Sequence, residues 1–312
     1  MNEAVLILAA AAAVASGTPL VLAALGGLVS ERSGVINISI EGMMLMGAVS
    51  AFLAAQGTAS IAVALVAGML AGAALAAVHA FLCVTMKANQ IVAGLAMVIF
   101  GTGIATFLGK PVEGQATAVR ITPYDLPFLS DIPVLGRIFF QHDPMVYASW
   151  VLVVLVAVYF RYTKLGLATR SVGESPATAD VMGVRVAAIQ YCHTIAGGVL
   201  AGLAGAYLVL ARVPNWSQAA TTSGLGWIAV ALIVFSSWRP LRLLAGAYLF
   251  GLALRANFTL QAAGFGAIPA EVLSMLPYVL TIAVLILLSV FDKGNRLGAP
   301  AALGKPYFRN ER

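Results

Sequence analysis

The chain has 312 residues, of which 61% are hydrophobic and 10% charged, whereas soluble domains carry about a quarter charged residues. This composition excludes a water-soluble globule and points to an all-α, polytopic membrane protein, with residues 1–312 forming a single transmembrane domain. The net charge of +6 is scattered as single Lys and Arg residues between apolar runs, so it reports topology and gives no reason to expect a nucleic-acid partner.

The first run, "MNEAVLILAAAAAVASGTPLVLAALGGLV", has Glu3 and no basic residue before it. It is far longer than a signal-peptide core of about 7–15 residues, so it reads as a spanning helix, with Pro19 expected to kink it. Crossing the bilayer takes about 20 apolar residues. About nine runs (eight to ten, depending on the boundaries chosen) meet or approach that length: 4–29, 36–56, 61–84, 91–108, 145–160, 188–211, 225–237, 242–260 and 271–291. The run at 225–237 is short enough to be re-entrant. Basic loops stay in the cytoplasm. With 161–187 inside, alternation puts Arg32, Lys87, Arg239, Arg242 and the tail 292–312 on the same side, and leaves 109–144 as an extracytoplasmic loop. The expectation is a multi-pass protein of a bacterial inner (cytoplasmic) membrane.

Polar residues inside the runs are the candidates for function, because a charged side chain at the bilayer centre costs about 2.5–3.5 kcal/mol on insertion scales. "SGVINISIEGMM" places Asn37, Ser39 and Glu41 near the start of the second run. Two readings stand for Glu41: it lines a substrate pathway, or it anchors the helix by pairing with Arg32 or Lys87. Asn89 and Gln90 in "MKANQIVAGLA" open a helix, where they either satisfy free amides or touch substrate. Asn257 joins this pathway set, while its neighbour Arg255 is expected to snorkel. Trp216, Trp227 and Trp238 are expected in interfacial belts. Small residues four apart, Gly68 and Gly72, then Gly198 and Gly202 with Gly205 close by, mark helix-packing faces.

The segment 161–187 holds the punctuation of one short helix. Ser175 caps, Pro176 takes the first position, Ala177, Thr178, Ala179, Asp180, Val181 and Met182 follow, and Gly183 ends it. No catalytic constellation is visible. His79, His142 and His193 stand apart, and Cys83 and Cys192 lie in apolar runs, so neither a metal site nor a disulfide is expected. "GAPAALGKPY" imitates a phosphate loop and fails as one. Gly298 precedes Gly304-Lys305 by one residue too many, Pro306 stands where Ser or Thr is needed, and no strand leads in. The chain is therefore expected to be no enzyme and to hold no cofactor of its own.

"SERSGVINISIEGMMLMGA", "VGESPATADVMGVRV" followed by "AGGVLAGLAGAYL", and "SGLGWIAVALIVFSSWRPLRLLAGAYLFGL" followed by "MLPYVLTIAVLILL" resemble, in order and over nearly the whole chain, the permeases of ATP-driven (ABC) importers. The likeness is to the ribose, branched-chain amino acid and nucleoside group, and most of all to nucleoside importer subunits. Relatives often carry a Gly after the position of Phe235; here Ser236 and Ser237 follow. The resemblance implies half of a translocation pathway, paired with a second and longer permease. It also implies a cytoplasmic ATPase subunit that binds the ATP, and an extracytoplasmic binding protein that delivers substrate. It makes Ser175–Gly183 the coupling helix seated in an ATPase cleft, with Ala177 and Ala179 small enough to sit deep and Val181 and Met182 in apolar contact. The alternative from another class is a secondary transporter with Glu41 as its proton-coupling carboxylate.

Overall fold

The computed structural model of the protein describes residues 3–213, 215–262, 269, 272–273, 275–291 and 298–309. Inside a bilayer each backbone N–H and C=O must find a partner within the protein, and for apolar runs the solution is the α-helix. Six helices are long and apolar enough to cross among the described residues. They are α1 (Glu3–Glu31), α2 (Ile40–Thr58), α3 (Ile61–Ala80, with a π turn at Phe81–Thr85), α4 (Gln90–Gly109), α6 (Pro144–Tyr162) and α9 (Val186–Tyr207, with a π turn at Leu208–Arg212). Between α4 and α6, β1 (Tyr124–Asp125), α5 (Leu135–Phe139) and β2 (Gln141–His142) form a small cap. Two short helices, α7 (Lys164–Glu174) and α8 (Pro176–Val181), join α6 to α9. Beyond α9 come α10 (Gln218–Thr221), α11 (Leu225–Phe235), α12 (Pro240–Ala262) and α13 (Leu276–Phe291).

The expected runs therefore resolve into six full-length helices, α12 and α13 in the last two positions, and an α11 of 11 residues. At 1.5 Å per residue α11 covers about 16 Å, half of a hydrocarbon core of roughly 30 Å. The second run also begins later than its apolarity indicates: 32–39 is non-helical, and α2 opens at Ile40. α1 runs through Pro19 as one helix. α7 is amphipathic and was not visible as an apolar run.

α9 sits at the centre, packed on α1, α2 and α3. The anticipated glycines make that approach: a Cβ on Gly72 would lie 2.2 Å from the Gly198 carbonyl, one on Gly202 2.2 Å from that of Gly68, and one on Gly205 1.8 Å from that of Met44. With no hydrophobic force between helices in lipid, this backbone proximity is what association rests on.

Among the described residues the non-helical segments gather at two ends. At one, Arg32 donates to the Trp238 carbonyl, the backbones of 173 and 302 are hydrogen-bonded, and Lys87 lies over Phe308. These are the basic loops that charge assigned to one side. At the opposite end, the loop after α4 pairs with the segment after α9 through Gly114 and Gln115 to Trp216, and through Ile121 to Leu210. Two tryptophans depart from the belt expectation. Trp216 is fully buried against Gly109, and Trp238 is buried with its Nε1–H donating to Glu31 Oε2 at 2.7 Å.

Candidate functional site

The most informative arrangement is built on the half-length helix. α11 begins after Gly224, in left-handed backbone at φ +79°, and its first N–H groups have no intrahelical acceptors. Glu41, in the first turn of α2, supplies the acceptors. Its Oε2 accepts from Gly226 N–H at 2.6 Å, and its Oε1 accepts from Thr222 Oγ1 at 2.5 Å and from Gly224 N–H at 3.3 Å. A carboxylate placed on the positive end of a helix in this way is favourable. Gly226 is required for it, because a Cβ there would lie 2.5 Å from Glu41 Cα and 2.6 Å from Glu41 Oε2.

Glu41 therefore pairs with neither Arg32 nor Lys87, which corrects the anchor reading. Its partners lie about 180 residues downstream, and its two oxygens are already occupied. At the far end of α11, Ser237 and Trp238 have φ of +52° and +54°. This is the left-handed region that non-glycine residues avoid. The turn is held by the Glu31 and Arg32 contacts to Trp238.

The loop before α2 is pinned at several points. Gln90 Oε1 accepts from Ile36 N–H at 2.7 Å, and buried His79 donates through Nε2 to the Ile36 carbonyl at 2.9 Å. Ser39 Oγ donates to Asn37 Oδ1 at 2.7 Å, with both residues buried. Asn89 caps α4, its Oδ1 accepting from Ile91 N–H and Val92 N–H at 3.0 and 3.1 Å. Of the pathway set, Asn37, Ser39 and Gln90 brace the loop before α2 from within, while Glu41, one turn on, is committed to the start of α11. Asn89 stands apart as a cap, and the side chain of Asn257 lies outside the described residues.

Above α11 lies a cavity of about 220 Å³ lined by Ser16, Arg212, Thr221, Thr222, Ser223 and Arg255 among others. Arg255 Nε–H donates to Ser16 Oγ at 2.7 Å, which replaces the snorkelling expectation. Arg212 Nη2 stands 3.6 Å from Asp143 Oδ2, an oxygen that also accepts from Tyr207 Oη at 2.7 Å. Arg212 Nε and Nη2 are buried without a hydrogen-bond acceptor, a deficit that a polar guest or water would relieve. Sequence reasoning missed this lining. Its available signal was the polar run "SQAATTSG" immediately before a short apolar helix.

At the basic end, α8 has the anticipated punctuation. Ser175 Oγ accepts from Thr178 N–H at 3.4 Å, Pro176 opens the helix, and Gly183 has φ +83°. Val181 and Met182 are 79% and 78% exposed, and Ala177 and Thr178 are exposed beside them. Ala179 is not part of that surface: it is 3% exposed and packed with Val172 and Val186 of its own chain. The expectation that Ala179 faces outward is corrected, and the free face is that of Ala177, Thr178, Val181, Met182 and Gly183.

The sequence family described as "Branched-chain amino acid transport system / permease component" matches residues 9–285. The chain is 38% identical to the putative glucose ABC transporter permease protein TsgC13 of Haloferax volcanii, covering 96% of both chains. It is 36% identical to the guanosine ABC transporter permease protein NupQ of Bacillus subtilis, over 94% of both. To the nucleoside ABC transporter permease protein NupC of Lactococcus lactis subsp. cremoris it is 33% identical, again over 94% of both. Among solved structures, "An inward-facing conformation of a putative metal-chelate type ABC transporter" superposes with a TM-score of 0.51 at 16% identity, covering 90% of this chain and 84% of that one. That likeness speaks to the fold.

Proposed function

Because the chain belongs to the permease-component family of branched-chain amino acid transport systems, we propose that it is the membrane subunit of an ATP-driven importer for nucleosides or related purine and pyrimidine compounds. It contributes half of the translocation pathway and is not itself an enzyme. The observation that carries the reading is near-full-length similarity to two permeases named for guanosine and nucleosides. The chemistry of the chain is compatible with it. The N-terminus of α11, the place where a broken membrane helix attracts an anion, is filled by the protein's own Glu41. An uncharged cargo suits such a site better than an anionic one. The hydroxyls of Thr221, Thr222 and Ser223 and the guanidinium of Arg212 around the 220 Å³ cavity offer partners to a polyhydroxylated solute. The cavity is smaller than the roughly 300–1,000 Å³ of enclosed ligand pockets, so it holds part of such a solute.

In this reading α8 is the coupling helix, inserting Val181 and Met182 into a cleft of a cytoplasmic ATPase subunit that binds the ATP. A second, longer permease completes the pathway, and an extracytoplasmic binding protein delivers cargo. Proton coupling through Glu41 is disfavoured, since a carboxylate accepting from two backbone N–H groups and a hydroxyl is committed as a cap. The similarity to a glucose permease sustains one further reading, a hexose cargo. Uptake of labelled guanosine and labelled glucose in cells with and without the gene separates the two. Gene-dependent guanosine uptake, competed by other nucleosides and not by glucose, is the expected result; gene-dependent glucose uptake alone would transfer the assignment to sugars.

A further inference from the structure

Residues 298–309 contain the "GAPAALGKPY" that fails as a phosphate loop, and the fold uses them differently. Gly298 and Gly304 adopt φ of +71° and +78°, left-handed conformations that favour glycine. Around them the chain crosses the basic end of the bundle. Ala301 N–H reaches Glu174 Oε2 at 3.3 Å, Ala302 N–H donates to the Gly173 carbonyl at 2.9 Å, and Gly304 N–H donates to the Gly34 carbonyl at 3.2 Å. Ile36 lies so close to Gly304 that a Cβ there would meet its Cδ1 at 2.7 Å. Further on, Tyr307 Oη donates to Asp180 Oδ2 at 3.1 Å, and Arg309 Nε lies 3.0 Å from the same oxygen. Tyr307 also packs against the cluster of Val172, Ala179 and Val186. One short stretch of chain thus touches the end of α7, the loop before α2, and α8.

We propose that 298–309 is a strap, with Tyr307 and Arg309 as positioning residues that clamp Asp180 and make α8 and the 32–39 loop move as one body. The proposal rests on the coupling role given to α8 above. α8 has six residues, too few to be stable unsupported, and its own core is the single buried Ala179 with a left-handed glycine hinge just beyond at Gly183. A push on Val181 and Met182 would swing such a helix about that hinge unless something braced it. The strap supplies the brace and carries it to Gly34 and Ile36, whose loop leads into the Glu41 cap. Arg309 is 78% exposed, so its ion pair alone is weak. The Tyr307 hydrogen bond, beside a buried cluster, does more of the holding.

The test uses the reconstituted complex of this chain with its second permease and ATPase, supplied with the binding protein, and reads guanosine transported per ATP hydrolysed. Tyr307→Phe with Arg309→Gln should leave the ATPase bound and hydrolysing. Transport per ATP should fall roughly tenfold, the factor that one lost hydrogen bond to a charged acceptor represents. Asp180→Asn should cause a similar fall and add nothing when combined with the pair, because all three changes break one clamp. A wild-type ratio in the double variant, additive losses, or loss of the ATPase from the double variant would each overturn the strap. Met182→Asp serves as the parallel arm for the coupling helix itself: it should release the ATPase, and retention there would refute the coupling role of α8 on a different variant and readout.

Discussion

Replacing Glu41 separates a cap from a proton carrier. Leucine at this position leaves Gly224 N–H and Gly226 N–H, at the start of α11, without their acceptor. The buried Gly226 N–H left unsatisfied costs about 1–3 kcal/mol, and the half-buried, weakly held Gly224 N–H and the lost charge–dipole attraction add less. Glu41→Leu should therefore destabilise the region by about 2–4 kcal/mol, a sizeable share of the roughly 5–15 kcal/mol of an ordinary fold. Thr222 contributes less to the loss because its hydroxyl can rotate to another acceptor. Glutamine keeps one carbonyl oxygen, which can accept from Gly226 N–H in the place of Oε2. Its amide can donate to Thr222 Oγ1, reversing that bond, and the weak 3.3 Å contact from Gly224 is what remains unmet. With the charge–dipole contribution of about 0.3–1 kcal/mol also lost, Glu41→Gln should cost about 1–2 kcal/mol. The assay is guanosine uptake, normalised to correctly inserted protein, alongside thermal unfolding in detergent. The glutamine variant should keep substantial uptake and a slightly lowered midpoint, and the leucine variant should lose both. Equal loss of uptake in the two variants with assembly intact would show that the negative charge itself is needed, and the capping account would be wrong.

Three further outcomes follow from the same geometry. Gly226→Ala forces a Cβ to 2.5 Å from Glu41 Cα, and overpacking of this kind costs about 1–3 kcal/mol, so the thermal midpoint should drop while the conservative change Val230→Ile elsewhere on α11 is better tolerated. Ala177→Arg on the free face of α8 should abolish co-purification of the ATPase with normal insertion, whereas Ala179→Arg, aimed into the chain's own core, should lower the yield of folded protein; a normal yield for the latter would contradict the inward placement. His142, in the cap between α4 and α6, is buried, which pushes its imidazole below the ordinary 6.5, with Arg212 acting the same way and the Ile138 carbonyl and Asp143 opposing. Because the unfolded segment binds the proton more readily, the cap should lose stability as pH falls below about 6.5. Protease cleavage within 113–142 should therefore rise between pH 7 and pH 5 in wild type, and His142→Gln should flatten that dependence.

The long helices were legible because a lipid-facing backbone leaves few alternatives to an apolar helix, and the ends of α8 were legible because Ser175, Pro176 and Gly183 each have a local conformational job. What faces inward on α8 was not. Six residues give too little periodicity to tell Ala177 from Ala179, and only the packing on Val172 and Val186 decides it. Glu41 was recognised as costly, yet its partners were invisible, since Thr222, Gly224 and Gly226 come to it only when α11 stops halfway and lies against α2. The same holds for the strap: nothing local in "GAPAALGKPY" states that Gly304 will meet Gly34. Local chemistry marks where a chain turns and caps, and long-range contacts decide what those turns are for.

The central claim is that ATP drives uptake through this chain. It is tested most directly by measuring gene-dependent guanosine uptake in glycolysing cells under two separate treatments, depletion of ATP and collapse of the proton gradient. The account predicts that uptake stops when ATP is depleted and continues when the gradient is collapsed with ATP maintained. Uptake that survives ATP depletion and stops with the gradient would contradict it and assign the chain to the secondary transporters.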